Sequence, residues 1–282
     1  MTNLQQLLME IRNLKPVPAV TAQLIQVADR PGSSMEDIAN VIQYDPVITA
    51  EVLKTCNSAY FGLKHPAESI RDAVSMLGID QVTELALMKS ASGNLKARQK
   101  GYGTQPGDLW RYSVACAVIA KQSASMLGIS GKNTLFTAAL LKDIGKIILD
   151  THVSKSADLI DTLVADKGLS FREAEKKIFG IDHAELGALM LKMWKFSPRM
   201  IKIIRHHHMS DETMMDDRET CVVYLSDCIC MMMGIGLGRD GLSYRFRQDV
   251  MKKLGLSADD ISLIIADFGA QMQQIEQLLN IV

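Results

Sequence analysis

Helix-start signals recur along this chain, each directly before apolar residues at helical spacing. A Ser or Asp followed three residues later by an acidic residue is typical of a capping box, in which each side chain bonds the backbone N–H of the other. No stretch alternates apolar and polar residues over the length of a strand. The sequence therefore predicts an all-α fold of many helices. The signals are Ser33-x-x-Glu36, Ser69-x-x-Asp72, Ser170-x-x-Glu173, Asp182-x-x-Glu185 and Ser257-x-x-Asp260, with Asp45-Pro46 as a further N-cap and first helical residue.

A polar, glycine-rich segment at residues 92–107 interrupts this helical pattern and has no apolar period. It predicts an N-terminal helical part, 1–105, packed on a C-terminal helical part, 106–282. One continuous domain of about 9–210 with a C-terminal helical extension is the alternative. Within the C-terminal part, the apolar pattern predicts a single helix from Thr134 to Leu149.

Composition excludes several classes of protein. The formal net charge of −1 gives the chain no overall attraction to nucleic acid or to an anionic membrane. Five cysteines without C-x-x-C spacing indicate free thiols in a reducing compartment. The N-terminus lacks the basic and apolar regions of a signal peptide, and no uncharged apolar run approaches 18 residues. We therefore expect a cytoplasmic protein that does not enter a membrane.

A few acidic and histidine side chains stand out because they lie in or beside apolar helical stretches. A buried carboxylate needs a cation or hydrogen bonds, so each aspartate could simply pair with a lysine such as Lys142 or Lys146. Three adjacent histidines point about 100° apart around a helix, so at most two of them share a target. Taken together, however, these residues are the raw material of a helical metal site. The candidates are Asp143, His183, the run His206-His207-His208, and Asp227.

Several segments, in order along the chain, resemble the HDOD domain, an output domain of bacterial signalling proteins related to the HD hydrolases. The resemblance extends from Met9 to about Ile204 and implies a helical HD-like architecture. The segments are Leu14–Val20, Ile42–Thr49, Cys56–Gly62, Ser69–Val74, Leu77-Gly78, Leu109–Ser113, Phe136–Lys146 and Phe179–Glu185.

The resemblance also implies where metal ligands would stand. Catalytic HD hydrolases hold one divalent metal with an early His, an adjacent His-Asp pair and a late Asp, and two-metal relatives add further histidines. Here the early His is replaced by Tyr112 and the His of the pair by Lys142, so two ligand positions are lost. The remaining positions fall at Asp143, His183, His207, His208 and Asp227.

Lys142 changes the expected chemistry, because an ammonium has three donors and no lone pair for a metal. Its charge also repels a divalent ion. We expect it to take the electrostatic place of the metal and to neutralise Asp143 or Asp227. The histidines with Asp143 remain able to hold one divalent transition metal, or none.

Two functions follow as hypotheses. The first is a non-catalytic regulatory module that acts by contact with signalling proteins. Methionine-rich surface near Met209, Met214 and Met215 and at 231–233 suits an adaptable partner surface, with core packing as the alternative for 231–233. The second is a metal-dependent phosphohydrolase acting on a nucleotide or a cyclic dinucleotide. Nucleic-acid binding rests only on scattered arginines near two aromatic residues and is disfavoured by the near-zero net charge. These are Arg239, Arg245 and Arg247 with Tyr244 and Phe246.

Overall fold

The computed structural model of the chain describes residues 4–14, 19–236, 238–243 and 247–281. Within these ranges the regular structure is entirely helical, which confirms the predicted all-α class. No helix in the described part is long and apolar enough to cross a lipid bilayer. Two sequence features lie outside the described residues: 15–18 of the first HDOD-like segment, and Tyr244, Arg245 and Phe246. The α-helices are α1 (Leu4–Asn13), α2 (Ala19–Ala28), α3 (Met35–Ile42), α4 (Pro46–Cys56), α5 (Ile70–Leu77), α6 (Ile79–Leu95), α7 (Asp108–Met126), α8 (Lys132–Leu141), α9 (Gly145–Lys155), α10 (Ala157–Lys167), α11 (Phe171–Phe179), α12 (His183–Met193), α13 (Pro198–His206), α14 (Arg218–Met232), α15 (Gln248–Leu254) and α16 (Ala258–Ile281).

The predicted caps set most helix starts. Ser69, Ser170 and Asp182 each cap a helix through a reciprocal capping box, and Asp45 accepts hydrogen bonds from the first turn of α4. The cap of α3 was predicted one residue early: Ser34 pairs with Asp37, rather than Ser33 with Glu36. Ser33 instead donates a hydrogen bond back to the Val27 carbonyl, so its hydroxyl closes the preceding turn.

The N-terminal helices pack on the C-terminal helices across α8. Helices α2 and α6 both contact α8, and α7 lies between α8 and α14 at the centre of the C-terminal part. Helix α12 packs against α13 on one side and α9 on the other. This arrangement confirms an N-terminal helical part packed on a C-terminal bundle, whereas the boundary at 105/106 stays a prediction.

The single helix predicted from Thr134 to Leu149 is wrong, because the chain breaks between Leu141 and Gly145 into α8 and α9. Gly145 permits the packing that follows the break. A Cβ at this position would lie 2.0 Å from the backbone oxygen of His183, so only glycine lets α9 approach α12 this closely. The break turns Lys142 and Asp143, each 1% exposed, into the interior.

Residues 92–107, which the sequence marked as a polar candidate boundary without apolar period, are partly helical and partly buried. Helix α6 continues to Leu95, and Tyr102 is buried with 1% of its surface exposed. Its backbone carbonyl accepts a hydrogen bond from the Arg239 N–H at 2.8 Å, and the Gly101 N–H donates to Asp150 at 2.8 Å. One buried aromatic anchors a segment whose average composition is polar, so the segment forms part of the wall around the candidate site.

The predicted methionine-rich surface is only partly present. Met209 is buried with 1% exposure, while Met214 and Met215 pack against the core. Met209 has a left-handed backbone with φ of 51°, which turns the chain after the histidine run and directs this side chain inward. Met232 is exposed at 64% and keeps part of that surface in the described residues.

Candidate functional site

A buried lysine joins two aspartates at the centre of the C-terminal part. The Lys142 ammonium, on the turn between α8 and α9, contacts an oxygen of Asp143 and lies 2.5 Å from Oδ1 of Asp227 on α14. The ammonium also lies 4.5 Å from the centroid of the Tyr112 ring on α7. The sequence predicted that Lys142 would neutralise one of the two carboxylates, and the ammonium contacts both.

Tyr112 stands where the resemblance implied an early histidine ligand. Its hydroxyl donates a hydrogen bond to Asp227 Oδ1 at 2.7 Å, so it supplies a proton where a metal ligand would supply a lone pair. Burial, with the Asp227 charge beside it, raises the pKa of Tyr112 well above its usual value, so the phenol stays protonated. Asp227 is thereby held by two donors, Tyr112 and Lys142.

The charges of this group stabilise one another. Burial favours a neutral Asp143, but the ammonium groups of Lys142 and Lys146 outweigh it and hold the pKa of Asp143 well below its usual range. Burial likewise opposes the charge of Lys142, and the two carboxylates outweigh it to raise the Lys142 pKa. Lys142, Asp143 and Asp227 therefore form an ionised triad. The Lys146 ammonium lies 2.9 Å from the Oδ1 oxygen of Asp143.

His183, the first residue of α12, is oriented by Glu175 of α11. Glu175 accepts hydrogen bonds from the backbone N–H of His183 at 2.9 Å and from its Nδ1 at 2.7 Å. The Tyr102 hydroxyl donates to the other Glu175 oxygen at 2.6 Å. Because a carboxylate only accepts, the Nδ1 of His183 carries a proton and its Nε2 faces the interior. A carboxylate behind a histidine in this way is the usual support of a metal-ligating imidazole.

His207 and His208 follow the end of α13 and turn toward His183. His207 Nδ1 lies 2.7 Å from the Ile204 carbonyl, so it carries the proton and donates. Burial lowers the pKa of His207 to about 4, so the ring is neutral at pH 7 and its Nε2 keeps a lone pair. No hydrogen-bond partner for that buried Nε2 is found in the described residues. The Nε2 atoms of His183 and His208 lie 2.7 Å apart.

These side chains converge on one point. One nitrogen from each of the three histidines lies within 4.8 Å of the others. Oδ1 of Asp143 lies 3.6 Å from His183 Nε2 and 4.0 Å from His207 Nε2. His206 is turned away toward Asp211, at 4.0 Å. Of the predicted ligands, the structure thus gathers Asp143, His183, His207 and His208, and it places Asp227 on the lysine side.

The residues fit a metal at one position and not at the other. At the lysine position, an ammonium and a phenol face the two carboxylates, so the donor set lacks the lone pairs a metal requires. At the histidine position, three imidazole nitrogens and a carboxylate oxygen match the ligands of zinc, iron or nickel. The partnerless Nε2 of His207 is a buried acceptor of the kind that such an ion satisfies.

A cavity of about 450 Å³ opens beside the histidines. His183, His208, Lys146 and Asp240 line it, together with Tyr102. Pockets of this size accommodate small molecules. The cavity gives the histidine position access to ligands from solution.

Three residues of the site were missed by sequence reasoning. Glu175 lies in an ordinary charged stretch of α11, and Asp240 lies in the short 3-10 helix Arg239–Ser243, so neither has a local signal. Tyr102 had one available signal, since it is a lone aromatic in a polar segment and therefore a candidate anchor. All three are recognisable only once distant elements are brought together.

The helical scaffold, the paired aspartates and the histidine cluster agree with what the HDOD resemblance implied, and Lys142 stands where that resemblance implied a metal ligand. The family model described as the HDOD domain matches residues 14–210. The chain therefore belongs to the HDOD domain family, as its sequence segments predicted.

Several solved structures share the fold. An HDOD domain protein of unknown function from Geobacter sulfurreducens is 26% identical, with a TM-score of 0.71, and the match covers 97% of this chain and 96% of that one. A candidate phosphohydrolase from Shewanella amazonensis SB2B is 23% identical, with a TM-score of 0.68 and coverage of 98% and 97%. A candidate signal transduction protein from Marinobacter aquaeolei VT8 is 20% identical, with a TM-score of 0.72, covering 100% of this chain and 61% of that one.

An uncharacterized protein from Treponema pallidum (strain Nichols) is 20% identical over 198 residues, which are 70% of this chain. The chain spans 38% of the length of that relative. At these identities the similarity concerns the fold.

Proposed function

We propose that this HDOD chain is a non-catalytic regulatory module of a signalling pathway that acts by contact with other proteins. The observation that carries the proposal is the Lys142 ammonium between Asp143 and Asp227. In a two-metal hydrolase the ions clamp the attacking and leaving oxygens together. Lys142 is buried and cannot coordinate a substrate as a metal ion does. The ion triad of Lys142, Asp143 and Asp227 therefore replaces one of the two metal ions of such a clamp.

The names of two similar structures correspond to the two candidate functions, signalling and phosphate-ester hydrolysis. One is a candidate signal transduction protein and the other a candidate phosphohydrolase. The lysine triad favours the first. Arg239 and Arg247 are engaged in ion pairs with Asp161 and with Glu212 and Asp249, which leaves them poorly placed to contact nucleic acid. We therefore infer a protein partner rather than a nucleic acid.

The histidine position remains able to bind a metal in this proposal. Asp143, His183, His207 and His208 would hold one divalent transition ion, which would supply Lewis acidity and a site for an anionic ligand. The residues around it orient the imidazoles through Glu175 and Ile204 and keep the ring of His207 neutral. A regulatory module can use such an ion for structure or for sensing.

The test is a hydrolysis assay on untagged protein, because a histidine tag would compete for metal. Protein loaded with manganese, iron or nickel is given bis(p-nitrophenyl) phosphate or a cyclic dinucleotide. We expect the rate to equal that of an Asp143→Asn variant, since the lysine triad removes one half of the metal clamp. Turnover by the unmodified chain that disappears in Asp143→Asn would contradict the proposal.

The second candidate function is a single-metal phosphohydrolase. The observation that favours it is the opening of the 450 Å³ cavity onto the histidine cluster. The two functions separate in the variant Lys142→His with Tyr112→His, which restores the lost ligands implied by the resemblance. A non-catalytic chain gains turnover and a second equivalent of metal in this variant, whereas a single-metal enzyme is already active without it.

A further inference from the structure

Lys146 differs from Lys142 in how it holds Asp143. The Lys146 ammonium lies 2.9 Å from Asp143 Oδ1, and this contact is an ion pair without hydrogen-bond geometry. Its hydrogen bond goes instead to Asp240 Oδ2, at 2.6 Å. Lys146 therefore has two carboxylates within reach and is better bonded to the one outside the metal cluster.

The two lysines also differ in access. Lys146 and Asp240 line the cavity beside His183 and His208, whereas Lys142 is buried behind them. The Asp240 side chain is 22% exposed, so it can take the full charge of Lys146 at the solvent edge of the cavity. Lys142 has only buried partners, Asp143 and Asp227, and no such alternative.

Asp143 Oδ1 is the oxygen that faces the histidine nitrogens, at 3.6 and 4.0 Å. The same oxygen thus serves Lys146 and is the carboxylate ligand available to an ion held by the histidines. Two cations on one oxygen in a buried site repel strongly, because the protein interior screens charge poorly. The ion and the present position of Lys146 therefore compete.

We propose that Lys146 is an exchangeable cation, which bridges Asp143 and Asp240 when the histidine cluster holds no metal and pairs with Asp240 alone when a metal binds. The inference rests on the metal site included in the proposed function. It makes Lys146 a residue that sets metal affinity, and it makes the short 3-10 helix Arg239–Ser243, which carries Asp240, the segment that responds to occupancy.

The first test compares metal affinities of untagged, chelator-stripped variants, measured with Co²⁺ against a chromophoric chelator. Lys146→Met should bind Co²⁺ at least about tenfold more tightly than the unmodified chain, because a competing cation is removed. Asp240→Asn should bind it more weakly, because Lys146 loses its alternative partner. A Lys146→Met variant that binds Co²⁺ equally or less tightly, or no Co²⁺ binding by either protein, would overturn the inference.

A double-mutant cycle separates exchange from a general effect of charge. If Asp240 acts through Lys146, Asp240→Asn should change Co²⁺ affinity in the unmodified chain and have little effect in Lys146→Met. An equal effect in both backgrounds would contradict the exchange. Lys253→Met, which removes a lysine from an exposed ion pair with Asp216, is the matched control and should leave the affinity unchanged.

A second measurement needs no lysine variant and guards against misfolding. Hydrogen exchange of the backbone amides of Arg239–Ser243 should slow when Co²⁺ is added to the unmodified chain, because Lys146 then belongs to Asp240 alone. The change should be absent in Asp240→Asn. Unaltered exchange in the unmodified chain at saturating Co²⁺ would argue against the transfer. Because no hydrolysis is measured, these results are independent of whether the chain is catalytic.

Discussion

The Lys142 ammonium supplies the positive charge that Asp143 and Asp227 need in the interior of the protein. Asp143 and Asp227 approach the same point from different elements, and without a cation their charges would repel each other in a medium of low dielectric. Breaking a buried ion pair by removing one partner is far more destabilising than removing both, because a bare charge is left behind. The lysine is therefore expected to stabilise the fold while it prevents metal binding at this position.

Lys142→Met tests this role. We expect the free energy of unfolding at pH 7 to fall by about 3–5 kcal/mol, the usual effect of removing one partner of a buried pair. Adding Asp227→Asn should restore part of the loss. The same substitution at Lys253, in an exposed ion pair with Asp216, should leave stability essentially unchanged. Urea denaturation measures all three, and an unchanged stability of Lys142→Met would refute the structural role of the lysine.

The pH dependence of the same variants gives an independent check. The pKa values of Asp143 and Asp227 are lowered in the folded chain, with Lys142 as a principal cause for both. A lowered carboxylate pKa contributes stability that is present above the unfolded value, near 4, and is lost as pH falls through the folded value. The unfolded values are shared by both variants and cancel in the stability difference between the unmodified chain and Lys142→Met. That difference should therefore begin to shrink above about pH 4, where carboxylates that burial disfavours and Lys142 no longer holds take up protons, and should go on shrinking as pH falls toward the lowered pKa values of the unmodified chain.

At the scale of the helices, the turn between α8 and α9 positions the site. Gly145 begins α9 against the backbone of α12, so Asp143 two residues earlier is held beside His183 at the start of α12. Gly187 on α12 faces the same contact, and a Cβ there would meet Ile144 at 3.3 Å. Close helix packing thus sets the distance between the carboxylate and the histidine.

Gly145→Ala should separate the two helices. The added Cβ would lie 2.0 Å from the His183 carbonyl, and backbone cannot move aside as a flexible side chain can. We expect a loss of about 1–3 kcal/mol in stability, typical of overpacking, together with weaker Co²⁺ binding. Gly93→Ala is the control: it lies in α6 with open space around its Cβ position, so stability should rise by up to about 1 kcal/mol. Equal behaviour of the two variants would show that the close contact is unimportant.

Local signals predicted the helix starts well and the break in the chain badly. The caps at Asp45, Ser69 and Ser170 depend on a few neighbouring residues, so the sequence carries the whole signal. The apolar pattern through Leu141 and Ile148 fits one helix equally well, because the reason to stop lies in α12 and not in the pattern. Tertiary packing, and not the local apolar pattern, determines that α8 and α9 are separate helices.

At the scale of the whole molecule, the candidate site is assembled from five α-helices, namely α7, α9, α11, α12 and α14, and from segments between helices. The resemblance identified Asp143, His183, His207, His208 and Asp227 as positions, but it could not divide them between a lysine position and a histidine position. That division depends on which way each carboxylate turns, and on Glu175 and Tyr102, which approach from distant segments. Long-range geometry of this kind has no counterpart in residue spacing.

One contact joins the N-terminal and C-terminal parts at a helix end. Helix α8 has no side-chain cap of its own, and Asp29, just after α2, accepts hydrogen bonds from the backbone N–H groups of Asn133 at 3.0 Å and Thr134 at 2.9 Å. A carboxylate at this position satisfies unpaired N–H groups and complements the helix dipole. The N-terminal part therefore caps a helix of the C-terminal part. This contact favours unfolding of the two parts as a single unit.

Both tryptophans, Trp110 and Trp194, lie in the C-terminal part, so their fluorescence follows that part while circular dichroism follows the whole chain. For a single cooperative unit we expect the two urea transitions to coincide, and Asp29→Ala to lower the free energy of unfolding by about 0.5–2 kcal/mol in both. Asp45→Ala removes a cap entirely within the N-terminal part. It should nevertheless shift the tryptophan transition by a similar amount, because a cooperative unit transmits the loss. If Asp45→Ala moves only the dichroism transition, the two parts unfold separately and the chain divides near residue 105.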